Sequence, residues 1–236
     1  MKLLLISNSA SPGESYLEKP LQDIKRFLGA VTDNIIFIPF AGVTVEYDAY
    51  TAKVNNALAA IGVKVTGIHT CSNPIEAVMK ASAIFVGGGN TFMLTKMMQQ
   101  MGLIQAIRER VLAGVPYIGW SAGSNVTCPT ICTTNDMPIV EPESFRAFNL
   151  IPFQINPHYL DAHPDGHGGE TREQRILEYI KANPHMYVAG LREGSRLWVE
   201  GEKIELLGER TMRLFKYGEE IKELSHEDDI RFLLAR

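Results

Sequence analysis

The chain has 236 residues, a length that suits one sizeable hydrophobic core, and we expect a single domain over residues 1–236. Hydrophobic residues make up 45% of the chain and charged residues 21%, which excludes a disordered or collagen-like protein. The formal net charge of −4 provides no broad basic face to neutralise phosphates, so we expect no nucleic-acid partner.

The three cysteines are too few and too irregularly spaced for a disulfide framework, a redox pair or a zinc site; they are Cys71, Cys128 and Cys132. The apolar run at Met1–Ile6 is shorter than the hydrophobic part of a signal peptide, and we interpret it as the first strand. No apolar stretch approaches the roughly 20 residues that span a bilayer. We therefore expect a protein of the reducing cytoplasm with no membrane partner, no cofactor and no bound metal.

Short apolar runs alternate with helix-forming stretches along most of the chain, which predicts an α/β fold: a mostly parallel sheet with helices on both faces. Strands are predicted at Lys2–Ile6, Asn34–Pro39, Val63–His69, Ala83–Val86, Tyr117–Gly119 and Met186–Leu191. Helices are predicted at Tyr16–Leu28, Tyr47–Ile61, Pro74–Ala81, Thr91–Met101 and Gly102–Leu112.

The C-terminal part has a different pattern, because short runs are separated by single glycines. This spacing predicts antiparallel hairpins that extend the sheet, with strands at Arg196–Glu200, Lys203–Leu207, Met212–Tyr217 and Glu219–Leu224. A last helix is predicted at His226–Leu234. The segment Thr127–Leu160 is rich in proline, asparagine and acidic residues, and we interpret it as a long functional loop.

The motif Gly119-Trp-Ser121-Ala-Gly123 follows an apolar run and has the pattern of a nucleophile elbow. Its two glycines allow a strand to turn sharply into a helix, which would leave the Ser121 hydroxyl at the edge of the sheet. A serine hydroxyl reacts at neutral pH only when a base accepts its proton and nearby donors stabilise the developing oxyanion. Ser121 is therefore the candidate nucleophile.

His158 is the candidate base, because Pro157 fixes the backbone just before it and it closes a short apolar run. The other five histidines fit this role less well; they are His69, His163, His167, His185 and His226. The group that orients the imidazole is either Asp136 or Glu193. We favour Glu193, which follows a predicted strand, and expect Asp136 to line the site and to contact a substrate amine.

Three consecutive glycines precede Asn90-Thr91 at another predicted strand-to-helix turn. Glycines let backbone N–H groups approach a ligand closely, and we assign Gly88, Gly89 and the N–H of Ala122 to an oxyanion hole. The segment lacks the signatures of a Walker A or dinucleotide-binding motif.

The run from His158 to Glu170 also permits a metal-site interpretation, because it contains several imidazole and carboxylate side chains: His158, Asp161, His163, Asp165, His167 and Glu170. Its proline and glycine content predicts a loop, without the helical spacing of a zincin site, and a metal would leave Ser121 without a role. We therefore prefer the serine-based hypothesis.

Taken together, several segments make the chain similar to the serine-peptidase family S51 of α-aspartyl dipeptidases over nearly its whole length. They are Ile6–Ser9, Phe37–Val43, Gly87–Thr91, Gly119–Gly123, Thr133–Pro138, Asn156–His158 and Gly169–Arg175. The resemblance implies a fold like that of the class I glutamine amidotransferases, with serine in place of the nucleophilic cysteine.

The resemblance also implies hydrolysis of dipeptides with an N-terminal aspartate, with Ser121 as nucleophile, His158 as base and an acid from Asp136 or Glu193. A substrate carboxylate calls for a guanidinium, for which we choose Arg172, with Arg175 in reserve. Asn90 is a further expected substrate contact. The alternatives are a cyanophycinase-like peptidase, an esterase with the same triad, or a non-catalytic ligand-binding module. The sequence does not predict the oligomeric state.

Overall fold

A computed structural model of the protein describes residues 1–161 and 168–235. Within these residues the central sheet has seven strands: β1 (Lys2–Ile6), β2 (Ile35–Ile38), β3 (Val65–Gly67), β4 (Ala83–Val86), β5 (Tyr117–Trp120), β8 (Arg196–Glu200) and β9 (Lys203–Leu207). Their order is β3-β2-β4-β5-β1-β8-β9, and the first five are parallel. The predicted α/β fold with a mostly parallel sheet is confirmed.

A second, smaller sheet stands beside the carboxyl end of β1. Its strands in the described part of the chain are β6 (Gln154–Tyr159), β7 (Val188–Arg192), β10 (Met212–Phe215) and β11 (Lys222–Leu224), in the order β11-β10-β7-β6. β6 and β7 are parallel, whereas β10 and β11 are antiparallel additions. The chain passes from β7 to β8 through a short turn, so this turn joins the two sheets.

Helices cover both faces of the central sheet, as predicted. The α-helices are α1 (Leu21–Leu28), α2 (Tyr47–Leu58), α3 (Pro74–Lys80), α4 (Thr91–Gln100), α5 (Leu103–Leu112), α6 (Ala122–Asn125) and α7 (Arg172–Ala182). Alternate β1 residues point to opposite faces. Leu3 and Leu5 belong to a core with α3, α4 and α5, while Leu4 and Ile6 pack with α1 and α2.

Several predicted boundaries differ from the structure. The first helix begins at Leu21 rather than at Tyr16, because Pro20 disfavours helical backbone in the residue before it. The strand predicted at Val63–His69 shortens to Val65–Gly67 and is followed by a 3₁₀ turn at Ile68–Thr70.

Two predictions for the C-terminal region are wrong in part. The hairpins do not form one extension: β8 and β9 join the central sheet beside β1, while β10 and β11 join the second sheet. The helix predicted at His226–Leu234 is only a 3₁₀ turn at Arg231–Leu234. The residues before it form a turn in which Asp228 accepts hydrogen bonds from the backbone and hydroxyl of Ser225.

The segment predicted as one long loop ends in a strand, β6, that the sequence analysis missed. β6 is an edge strand, which tolerates Pro157 because one side of its backbone has no strand partner. Side chains from outside the sheet bond this unpaired edge at Ile155: its carbonyl accepts from Asn125 and Thr133, and its N–H donates to the Cys128 sulfur. These contacts hold β6 against α6.

No helix among the described residues has the length and apolar character needed to cross a bilayer. Three of the six residues of the metal alternative, His163, Asp165 and His167, lie outside the described residues. The expectation of a single domain stays a prediction.

Candidate active site

Ser121 lies at the turn between β5 and α6. Its backbone has φ 53° and ψ −114°, a conformation that non-glycine residues rarely adopt. Such strain persists only where the surroundings fix it, and here the Ser121 N–H donates to the Ile6 carbonyl at 3.0 Å. The hydroxyl is thereby placed at the carboxyl end of the central sheet.

The two glycines of the motif are required by close packing rather than by backbone angles. A Cβ added to Gly119 would lie 2.3 Å from the Gly123 carbonyl oxygen. A Cβ added to Gly123 would lie 2.1 Å from the Val86 carbonyl oxygen. The turn after β5 can therefore close tightly against β4 only with glycine at both positions.

His158 lies on β6, where the register with β7 shifts between Pro157 and Tyr159. Its φ of 53° marks an irregularity that turns the imidazole out of the strand. The His158 Nε2 atom is 3.0 Å from the Ser121 hydroxyl oxygen. The two side chains come from different sheets and meet in hydrogen-bond contact.

Ser7 fixes the backbone of this irregular segment. Its buried hydroxyl donates to the Leu191 carbonyl of β7 at 2.7 Å and accepts from the His158 N–H at 2.9 Å. The Ser7 side chain therefore satisfies two backbone groups that the irregular pairing of β6 leaves available.

Glu193 follows β7 in the turn that joins the two sheets. Its Oε1 atom is 2.7 Å from the His158 Nδ1 atom, on the side of the ring away from Ser121. The turn is fixed from the other sheet, because the Gly194 N–H donates to the Asn8 side chain and the Ser7 N–H donates to the Ser195 carbonyl. Serine, histidine and glutamate thus form a continuous hydrogen-bonded series.

Asp136, the alternative orienting acid, is not hydrogen-bonded to His158. Its Oδ2 atom instead accepts from the N–H and hydroxyl of Thr91 and from the hydroxyl of Thr134. A carboxylate in this position complements the first turn of α4. The geometry thus favours Glu193 over Asp136 as the group that orients the imidazole.

The glycine segment after β4 lies against the elbow. A Cβ on Gly88 would be 2.9 Å from the Ser121 Cβ, and one on Gly89, whose φ is 133°, would be 2.1 Å from the Ala41 carbonyl oxygen. No hydrogen bond within the described residues uses the N–H of Gly88, of Gly89 or of Ala122. The N–H groups of the predicted oxyanion hole are therefore available to a ligand at Ser121.

Asn90 has a structural role in addition to its place at the cleft. Its side-chain oxygen accepts from the Met93 N–H and so caps α4, while its amide nitrogen donates to the Met137 carbonyl. One amide hydrogen remains for a substrate.

Arg172 and Arg175 lie in different surroundings at the start of α7. The Arg172 side chain reaches the cleft, and its buried Nη1 atom has no hydrogen-bond partner among the described residues. Burial lowers the pKa of this guanidinium, an effect that the carboxylates of Glu193 and Asp136 oppose. The Arg175 side chain is 59% exposed and pairs with Glu170. Arg172 is therefore the arginine that faces the site.

The serine and the histidine open onto a cleft of about 960 Å³, large enough for a small peptide. Its lining includes Ser121, His158, Gly89, Asn90, Asp136 and Arg172. The sequence analysis did not single out Ser7 or Tyr50, whose contacts support the site. The polar residues after β1 were a usable signal for Ser7, whereas no local pattern marks Tyr50, a residue of α2.

A serine on a strand-to-helix turn, within hydrogen-bond reach of a histidine that contacts a carboxylate, defines the site of an α/β serine hydrolase. The family model for peptidase family S51 matches residues 3–207. The chain belongs to this family and is a serine-type peptidase.

Curated relatives and solved structures agree with this placement. Proteins named Peptidase E are similar to the chain: that of Nostoc sp. is 50% identical, covering 100% of this chain and 97% of its own length. That of Salmonella typhimurium is 51% identical, and the match covers 93% of this chain and 96% of the relative's length.

Two solved structures show the same fold. The crystal structure of a peptidase from an acI-B1 Actinobacterium has a TM-score of 0.68 at 18% identity, covering 97% of this chain and 96% of that one. The crystal structure of a protein from Listeria monocytogenes EGD-e has a TM-score of 0.64 at 24% identity, and the match covers 88% of this chain and 98% of that one.

The packing of the elbow predicts that Gly123→Ala lowers the free energy of unfolding by about 1–3 kcal/mol, because the new methyl group must displace the Val86 carbonyl. Gly168→Ala is the control, since no atom of the described residues lies within 4 Å of its added Cβ. Urea unfolding measures the free energy of unfolding of each variant. Equal stabilities of the two variants would contradict the packing argument.

Proposed function

We propose that the protein hydrolyses dipeptides with an N-terminal aspartate through an acyl-enzyme on Ser121. The observation that carries the proposal is the contact series from Ser121 through His158 to Glu193, in the same cleft as the unpartnered Arg172 nitrogen. The series matches an acyl-transfer mechanism, and the arginine matches a carboxylate on the substrate.

In the first half-reaction, His158 Nε2 accepts the Ser121 proton as the serine oxygen bonds to the carbonyl carbon of the aspartyl residue. Glu193 accepts a hydrogen bond from Nδ1 and stabilises the imidazolium. The N–H groups of Gly89 and Ala122 donate to the oxyanion. The C–N bond then breaks, and His158 passes its proton to the leaving amine.

In the second half-reaction, a water molecule replaces the amine. His158 accepts a proton from this water as its oxygen attacks the ester carbon of the acyl-enzyme. The Ser121–carbon bond breaks, His158 returns the proton to Ser121, and free aspartate leaves. The same imidazole thus acts as base and then as acid in each half-reaction.

The charges around the cleft suit an aspartyl residue. Arg172 is buried at Nη1, and a guanidinium can grip both oxygens of the substrate side-chain carboxylate. Asp136 is held through Oδ2, so its Oδ1 atom can meet the N-terminal ammonium group. Arg172 would then select for aspartate over asparagine, which has no side-chain charge.

We also propose a cytoplasmic location. In support, the three cysteines are free thiols in the described chain, and burial raises the pKa of Cys128 to about 12, which makes it inert. Recovery of the protein outside the cytoplasm after cell fractionation would contradict this proposal.

The nucleophile assignment predicts that Ser121→Ala lowers kcat for Asp-Leu at least about a thousandfold, since no other group forms the acyl-enzyme. A serine-directed fluorophosphonate should label the native protein once per chain, and His158→Ala should abolish the labelling. Ser82→Ala is the control, because Ser82 precedes β4 at the opposite end of the sheet. Substantial turnover by Ser121→Ala would refute the mechanism, and an unlabelled native protein would indicate a non-catalytic binding module.

The specificity assignment predicts that Arg172→Gln lowers kcat/KM for Asp-Leu by roughly 10- to 100-fold, because a charged hydrogen bond is lost, with little effect on Asn-Leu. Assays with Asp-Leu, Asn-Leu, Glu-Leu and a simple ester measure the preference. Arg175→Gln should keep the Asp-to-Asn ratio, since its side chain is exposed. An unchanged ratio in Arg172→Gln would assign the carboxylate to another residue.

A further inference from the structure

At each of the three consecutive glycines after β4, a different neighbour leaves no room for a side chain. A Cβ on Gly87 would lie 2.6 Å from the Tyr50 hydroxyl oxygen, one on Gly88 would meet Ser121, and one on Gly89 would meet Ala41. The segment is therefore held from three directions. Tyr50 is the member of this enclosure with a polar side chain that the proposed mechanism does not use.

The Tyr50 hydroxyl is the centre of a buried hydrogen-bond network. It accepts from the Trp120 Nε1 atom and from the Tyr16 hydroxyl, both at 3.2 Å, and donates to the Gly88 carbonyl at 3.0 Å. A phenol has one proton, so the two incoming donors leave the Gly88 carbonyl as the acceptor for it. Burial raises the pKa of Tyr50, and the hydroxyl therefore keeps its proton at neutral pH.

This bond fixes a peptide group that would otherwise be free to rotate. The Gly87 N–H is bonded to Ile38 and the Asn90 N–H to Ala41, so the two ends of the segment are anchored to the backbone. Between these anchors, the peptide that joins Gly88 and Gly89 has a glycine on each side, and glycine has the widest range of backbone conformations of any residue.

The direction of the Gly89 N–H follows from the Gly88 carbonyl. A trans peptide is planar, so its C=O and N–H point in opposite directions. With the carbonyl held by Tyr50, the Gly89 N–H must point away from Tyr50. Since Trp120 directly precedes Ser121, the same hydroxyl also joins this peptide to the strand that carries the serine.

We propose that Tyr50 is a positioning residue for the oxyanion hole: by holding the Gly88 carbonyl, it aims the Gly89 N–H at the substrate oxygen attacked by Ser121. The inference rests on the proposed acyl-transfer function. Tyr50 would stabilise the transition state rather than the bound substrate, because the hydrogen bond from the Gly89 N–H strengthens only as the oxyanion forms.

The test is Tyr50→Phe, which keeps the ring and removes the hydroxyl. The rate constant for fluorophosphonate labelling of Ser121 should fall roughly 10- to 100-fold, since the phosphoryl oxygen needs the same donors as the oxyanion. For Asp-Leu, kcat should fall by a similar factor, while KM and inhibition by free aspartate change less than about twofold. A purely structural role would not give this split between kcat and KM.

Tyr179→Phe is the matched control, because its hydroxyl accepts from Gln154 in the second sheet and lies outside the network. It should label at the native rate. A folded Tyr50→Phe variant that labels at the native rate would overturn the proposal.

If Tyr50→Phe does not fold, Gly87→Ala tests the same bond, because its methyl group must displace the Tyr50 hydroxyl. It should give the same loss in labelling rate, and a native rate would again overturn the proposal. The labelling assay contains no aspartyl group. A native protein that labels but does not hydrolyse Asp-Leu would therefore disprove the proposed substrate while still testing Tyr50.

Discussion

The hydrogen bonds of the Ser7 hydroxyl join the two sheets beside the candidate site. Ser7 follows β1 of the central sheet, and its hydroxyl bonds Leu191 and His158 of the second sheet. Ser121 belongs to the central sheet. The 3.0 Å contact between Ser121 and His158 therefore depends on how the sheets are held together, and not on either sheet alone. Glu193 lies in the turn that crosses between them, so all three side chains meet at this junction.

Much of the site could be predicted because each of its residues carries a local signal. Gly119 and Gly123 frame Ser121, and Pro157 precedes His158. Glu193 follows a strand, and the carboxyl ends of parallel strands gather at one edge of a sheet. The same reasoning kept Asp136 as an alternative, because a sequence shows which carboxylates are near strand ends but not which of them reaches a given ring nitrogen. Most strands of the central sheet were predictable for a similar reason, since their buried apolar runs are short and bounded by turns.

What the sequence did not predict depends on contacts between distant segments. β6 contains polar residues and a proline, and it is a strand because it pairs with the distant β7, while side chains such as Asn125 and Cys128 bond its open edge. The Tyr50 network joins residues 70 positions apart, and nothing within α2 marks it. The helix predicted at His226–Leu234 is only a 3₁₀ turn at Arg231–Leu234.

The separation of base and nucleophile onto two sheets has a consequence for how this protein would lose activity. Local opening costs less free energy than global unfolding, and boundaries between packed units are places where it can occur. A small relative displacement of the sheets would interrupt proton transfer while every strand kept its own hydrogen bonds. Turnover is therefore a more sensitive measure of the integrity of this boundary than circular dichroism or any other average over secondary structure.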